Sequence, residues 1–174
     1  MLDRRGQMAD GVAVRRGKDW RPIWAAAGWA VVVAMGGGLL TEIGPWYRGL
    51  IKPSWQPPDW LFGPAWTLIF ALSASAGIRA WEASRDLADR RAVVIAFVAN
   101  GVLNVLWSLL FFKLHRPDWA LIEVVPLWLS IAALAWICWR RSRLAGWLLV
   151  PYLAWVGFAA YLNLTIVRLN GPFG

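Results

Sequence analysis

A single cysteine, Cys138, and a single histidine, His115, stand in 174 residues. One thiol cannot close an intrachain disulfide. One imidazole with no nearby thiols gives no His/Cys/carboxylate spacing suited to a metal, so no metal site and no required cofactor are expected. His115 falls in a connection between apolar runs, which excludes a Ser–His–Asp set inside the apolar body of the chain. No glycine-rich phosphate loop occurs. Acidic residues are few, 10 Asp and Glu against 18 Lys and Arg. Only Glu123 lies inside an apolar run, so the chain of intramembrane charges used by pumps is missing. The alternating pattern of a membrane barrel is absent too. No apolar stretch precedes residue 23, so no cleavable secretory signal is expected, and the first apolar run is a candidate uncleaved signal.

What the chain has in abundance is hydrocarbon. It is 59% hydrophobic with mean hydropathy +0.49. Five runs account for this: 23–40, 61–78, 92–112, 119–139 and 144–167. Each reaches the roughly 18 residues a helix needs to cross a bilayer. Backbone polar groups in lipid must be satisfied within the segment. An all-α membrane protein, a bundle of five transmembrane helices, follows. The connections 79–91, 113–118 and 140–143 are too short for a soluble domain. The chain divides into a basic polar tail (1–21), the five-helix domain (22–170) and a short C-terminal tail (171–174). Five helices cannot form two equal inverted repeats, which argues against a standard secondary transporter.

The net charge of +8 is distributed by side. The tail, 79–91 and 140–143 hold thirteen of the 18 Lys and Arg residues; the opposite connections and the C-terminal end hold five. For a bacterial cell membrane this asymmetry predicts a cytoplasmic N-terminus. It marks a topology and lipid-surface determinant rather than a nucleic-acid arm.

Residues 46–66 read WYRGLIKPSWQPPDWLFGPAW and hold four of the 15 tryptophans and four of the ten prolines. Proline lowers the entropy lost on ordering, and indole suits the boundary of water and hydrocarbon. The segment reads either as an interfacial anchor or as a preformed lid over a pocket. In the third run, Asn100, Asn104, Trp107 and Phe111 share a helical face. Asn104 reads equally as interhelical glue or as a polar anchor in an aromatic pocket; glue is favoured for Asn100. In the fifth run, Tyr152, Trp155, Ala159 and Asn163 form a second stripe, and Pro151 is placed to bend that helix. Glu123 reads as a half-solvated carboxylate near a helix start, with a functional carboxylate as the rival. Gly36-Gly37-Gly38 permits close approach of a backbone or a ring. Ser73–Gly77 and Ala92–Ala96 are small-xxx-small pairs of the kind found at helix dimers.

The Trp/Pro segment, together with LNVLWSLLFF, WALIEV and VPYLAWVGFAAYLN, resembles the tryptophan-rich sensory protein / translocator protein family (TspO/MBR, the peripheral benzodiazepine receptor family). The likeness runs collinearly from the first helix to Asn170. It implies a five-helix bundle, often a homodimer, with a pocket under the first loop. It implies porphyrin ligands such as protoporphyrin IX and haem, benzodiazepine- and isoquinoline-type ligands, and in some members sterols. Carried over by position, the pocket residues are Tyr47, Pro57, Trp66, Phe70, Asn104, Trp107, Trp155 and Ala159, with Glu123 at the acidic position of the fourth helix. The animal sterol motif has a tyrosine after the fifth-helix asparagine; here Leu164 stands there, which puts sterol recognition by that motif in doubt.

Three functional readings follow from the resemblance. The first is a binding and sensory protein in which a tetrapyrrole stacks on Trp66, Trp107 and Trp155, with Asn104 at a polar edge and Arg48 or Lys52 near propionates. The second is light- and oxygen-dependent porphyrin breakdown, with Trp66 and Trp155 as the catalytic indoles. The third is porphyrin, lipid or sterol transport.

Overall fold

A computed structural model describes residues 20–173. The expected basic tail therefore falls outside the described residues, apart from Trp20 and Arg21. Seven α-helices occur among the described residues: α1 (Arg21–Leu40), α2 (Pro45–Gly49), α3 (Asp59–Glu82), α4 (Leu87–Ser108), α5 (Pro117–Trp139), α6 (Arg143–Trp147) and α7 (Val150–Asn170). They supply five membrane-crossing segments, the last formed by α6 and α7 together. No strand occurs among the described residues. The five-helix expectation is met.

The long helices form a ring in which α1 packs on α4, α4 on α5, α5 on α7, α7 on α3, and α3 back on α1. The α3–α7 seam is sparse and the α4–α5 seam is dense. Most of α1 faces outward: Trp24, Val32, Met35 and Leu39 are exposed. In a membrane these side chains meet acyl chains, so their exposure is no liability. Trp29 is the inward anchor of α1. Its indole N–H donates to the Phe97 carbonyl at 2.9 Å, and its ring meets Phe70 and Phe97 edge-on. Gly101 of α4 makes that docking possible. A Cβ there would lie 2.8 Å from Val33 and 2.9 Å from the Trp29 indole nitrogen. Overpacking such a seam costs about 1–3 kcal/mol.

The dense α4–α5 seam carries polar ties. The Asn100 amide donates to the Ser130 hydroxyl at 3.0 Å, so Asn100 joins helices, as read from the sequence. At the basic end, Arg141 donates to Asp89 at 2.6 Å and to the Ile137 carbonyl at 2.7 Å. Asp86 caps α4 by accepting from the Asp89 N–H at 2.8 Å, an interaction worth about 1 kcal/mol.

Three local departures from the sequence reading position the site. Part of the Trp/Pro segment is helical, because Pro45 suits the first turn of α2. The third span ends in a π-helical turn, Leu109–Lys113. Its wider i→i+5 repeat rotates the chain less per residue and turns Phe112 back toward the face that holds Asn104 and Ser108. The fifth span is interrupted at 148–149 rather than only bent. Pro151 has no N–H to donate to the Trp147 carbonyl and its ring crowds that carbonyl, so α6 stops and α7 restarts with Pro151 in its first turn.

Candidate ligand-binding site

A cavity of about 750 Å³ lies inside the ring, between α1, α3, α4 and α7, beneath the 46–66 segment. One wall is aromatic. Trp66 stacks on Phe70 with centroids 5.3 Å apart and meets Tyr152 edge-on. Trp155 meets Phe62 edge-on at 5.8 Å. Trp107 and Phe112 of the α4 end continue the aromatic lining. The wall contributed by α1 is aliphatic, formed by Ala30, Val31, Val33, Ala34, Gly37 and Gly38. These aliphatic residues and the aromatic side chains of α3, α7 and the end of the third span leave an apolar cavity able to hold a planar ligand. Gly37 lies beside the polar groups of α4: a Cβ there would make ordinary contact with the Ser108 hydroxyl at 3.6 Å and the Asn104 side-chain oxygen at 3.9 Å.

The structure brings seven of the nine sequence-derived ligand positions to this cavity: Tyr47, Trp66, Phe70, Asn104, Trp107, Trp155 and Ala159. Pro57 and Glu123 are not among its lining residues. Pro57 sits in the loop, one residue before the Pro58 N-cap of α3. Glu123 lies in α5, the one long helix that does not line the cavity. It is 7% exposed, so it is not half-solvated. Neither of its carboxylate oxygens has a hydrogen-bond partner among the described residues.

Asn104 ties two helices and also borders the cavity. Its amide nitrogen donates to the Tyr152 hydroxyl at 3.0 Å, joining α4 to α7, while the residue remains in the cavity wall. The second stripe divides. At about 100° per residue, the direction drifts by about 80° from Trp155 to Asn163. Trp155 and Ala159 face the cavity, whereas Asn163 turns to α5. With its amide oriented to satisfy both neighbours, Asn163 donates to the Pro117 carbonyl and accepts from the Leu121 N–H, each at 3.1 Å.

The mouth of the cavity is polar. Tyr47 is buried and donates to Asp59 at 3.4 Å. The Gln56 amide donates to both Tyr47 and Asp59 at 3.3 Å. Burial, then the charge of Asp59, pushes the Tyr47 phenol up to about 12, so it stays neutral and donating across the physiological range. Lys52 lies 3.7 Å above the Tyr47 ring. It is a cation at the rim.

The 46–66 segment is tied down at several points. Trp55 stacks on Tyr161 of α7 at 5.1 Å, and Trp46 stacks on His115 at 4.1 Å. Lys113 pairs with Glu42, drawing the α1–α2 connection to the end of the third span. The most specific tie is Asn170. Its side chain accepts from the Ile51 N–H at 2.7 Å and donates to the Ile51 carbonyl and to the Ile166 carbonyl, each at 2.9 Å. One amide thereby holds the loop to the last turn of α7. Asn170→Ala is expected to accelerate hydrogen exchange at the Ile51 amide and through 51–58 by about tenfold, the scale of one lost net hydrogen bond. Unchanged exchange would show that the ring contacts alone hold the loop.

Sequence reasoning missed Ser108, Phe112 and the α1 wall. The α1 wall had a signal, since Ala30, Ala34 and Gly38 recur every four residues in line with the glycine run. Phe112 had none, because its direction depends on the π turn. Among the described residues no group of His, Cys, Asp and Glu suits a metal ion.

The sequence pattern of the TspO/MBR family matches residues 25–169. The chain is 41% identical over 125 residues to the tryptophan-rich protein TspO of Chlorobaculum tepidum, covering 72% of this chain and 79% of that protein. It is 36% identical to the tryptophan-rich sensory protein of Cereibacter sphaeroides, covering 76% and 82%. It is 35% identical to the translocator protein of Sus scrofa, covering 87% and 91%. With its five spanning helices, the chain is an integral multi-pass membrane protein and belongs to the TspO/MBR family.

Proposed function

We propose that this chain is a sensory or regulatory membrane protein that binds a tetrapyrrole in the cavity beneath the 46–66 lid. The observation that carries this reading is the cavity itself: about 750 Å³, lined by aromatic side chains of α3, α7 and the end of the third span and by small and β-branched residues of α1. That volume falls in the range of roughly 300–1,000 Å³ common to small-molecule sites. A planar macrocycle gains most from such a lining, by stacking on Trp66, Trp107 and Trp155. Its acidic substituents belong at the mouth, near Lys52. The lining contains no histidine, cysteine or methionine, and its one tyrosine, Tyr47, is held as the neutral phenol at the mouth, so the reading rests on stacking and does not call on an iron. Protoporphyrin IX is therefore the natural probe. Benzodiazepine- and isoquinoline-type compounds, being flat and apolar, fit the same cavity. A relative bears the name sensory protein, and another the name translocator protein.

The test is a titration of purified protein with protoporphyrin IX, in the dark and under illumination in air. Saturable quenching of tryptophan emission with an unchanged porphyrin spectrum is the expected result. Absence of saturation overturns the reading. A photoproduct that disappears in Trp66→Phe and Trp155→Phe replaces it with porphyrin breakdown, and porphyrin accumulation inside protein-bearing vesicles replaces it with transport.

The same proposal places the protein in a bacterial cell membrane with its N-terminus in the cytoplasm, on the strength of the Lys and Arg asymmetry. Ser54 and Ala83 are exposed at opposite ends of the bundle. In a Cys138→Ala background, a cysteine at position 54 is expected to react with an impermeant maleimide on intact spheroplasts, and one at position 83 to react only after lysis. The reverse pattern inverts the topology.

A further inference from the structure

A second, smaller concavity lies at the basic end of the bundle, on the outer surface of the α3–α4 hairpin. It encloses about 180 Å³ and is lined by Trp81, Leu87, Arg90, Arg91, Val94 and Ile95. Its floor is apolar and faces outward: Leu87 is 68% and Ile95 66% exposed. Two cations, Arg90 and Arg91, stand between Leu87 at the start of α4 and Val94 and Ile95 farther along it. The Arg90 guanidinium lies 5.0 Å from the centre of the Trp81 ring, a cation–π contact that holds its plane. Its Nε is buried without a partner. Arg91 is exposed. Among the described residues neither arginine has an acidic partner, although the hairpin carries three carboxylates. Asp89 is engaged by Arg141, Asp86 caps α4, and Glu82 is exposed at the end of α3. Asp86, four residues before Arg90 and so the carboxylate spaced to meet it, is thus occupied in capping α4, and Asp89 is occupied by Arg141.

We propose that this groove holds one anionic phospholipid, with its phosphate between Arg90 and Arg91 and one acyl chain along Val94 and Ile95. Charge complementarity and depth select that occupant. Two cations sit about one helical turn shallower than the apolar, outward-facing Val94 and Ile95, and an interfacial tryptophan borders them. A phosphodiester joined to hydrocarbon satisfies all three, whereas a free anion uses only the rim and an uncharged lipid only the strip. Arginine fits the task because its planar fork can present two N–H groups to one phosphate. Basic recesses between membrane helices recognise anionic head groups on this principle. The site is separate from the cavity, and it does not depend on the tetrapyrrole reading.

The experiment uses full-length protein in detergent, with bound lipid counted by native mass spectrometry during titration with phosphatidylglycerol or phosphatidylcholine. One phosphatidylglycerol per chain is expected to bind in preference to phosphatidylcholine. Arg90→Gln with Arg91→Gln is expected to weaken that binding about thirtyfold, from about fivefold per arginine. The charge-matched pair Arg79→Gln with Arg143→Gln, at the same end but outside the groove, is expected to leave it unchanged. Arg91→Gln alone, an exposed position that carries no fold, gives the same answer at about fivefold if the double variant melts early. Equal loss in both pairs overturns the site in favour of diffuse surface charge. So does equal binding of the two lipids. Competition by sn-glycerol 3-phosphate as strong as by the intact lipid would make it a free-anion site and overturn the lipid assignment.

Discussion

Trp66→Ala and Trp155→Ala are each expected to weaken protoporphyrin IX binding by about 2 kcal/mol, close to thirtyfold in Kd. Each indole lines the cavity, and each loss removes apolar contact as well as an aromatic surface for stacking. The two differ in structural cost. Trp66 packs on Phe70 and Tyr152, so its removal opens a void against the buried side of the bundle, with a stability loss of about 3 kcal/mol. Trp155 leans on Phe62 and Phe158 nearer the lid and should cost less. Trp155→Phe preserves the aromatic contact and should recover most of the affinity. Porphyrin fluorescence titration, with melting of the ligand-free protein alongside, separates the effects. Normal affinity in both folded alanine variants would place the ligand elsewhere.

These expectations rest on elements of very different legibility. The five spans are visible in the chain because lipid allows few solutions. A run of about 20 apolar residues without charge can be little but a helix. Asn104, Trp107, Trp66 and Trp155 are visible because a polar or indole group on an apolar face requires a reason. Their common destination is not visible, since helical periodicity gives a direction on each helix and not the order of helices around the ring. Glu123 shows the limit. Sequence position alone suggests a half-solvated carboxylate near a helix start, yet α5 packs on both α4 and α7, and the residue is buried. Phe112 shows another. Its direction is set by five residues of π helix, a choice made by packing around Phe111 and Trp46 rather than by local propensity. Asn170 is the converse case. A terminal asparagine looks like an ordinary helix end, and only the proximity of Ile51, 119 positions away in the chain, reveals a clamp.

Asn104→Leu is expected to lower stability and porphyrin affinity together, because two chemically distinct halves of one amide are in use. The nitrogen half donates to Tyr152. Leucine keeps the approximate volume but leaves the buried Tyr152 hydroxyl without that donor, at a cost of about 1–2 kcal/mol. The oxygen half lies near Gly37 of the cavity wall, where it can accept from a donor at the ligand's polar edge, and its loss is expected to weaken binding by about 1 kcal/mol. Tyr152→Phe separates the two. It removes the partner of the nitrogen but leaves the oxygen in place, so stability should fall by a similar amount while affinity holds within about twofold. The double variant should be less destabilised than the sum of the singles, because removing both partners leaves neither unsatisfied. Melting temperatures and protoporphyrin titrations of the four proteins complete the cycle. If Asn104→Leu loses stability but the folded fraction binds normally, Asn104 is an interhelical tie alone. If Tyr152→Phe loses affinity as fully as Asn104→Leu, the amide acts on the ligand only through the orientation that Tyr152 gives it.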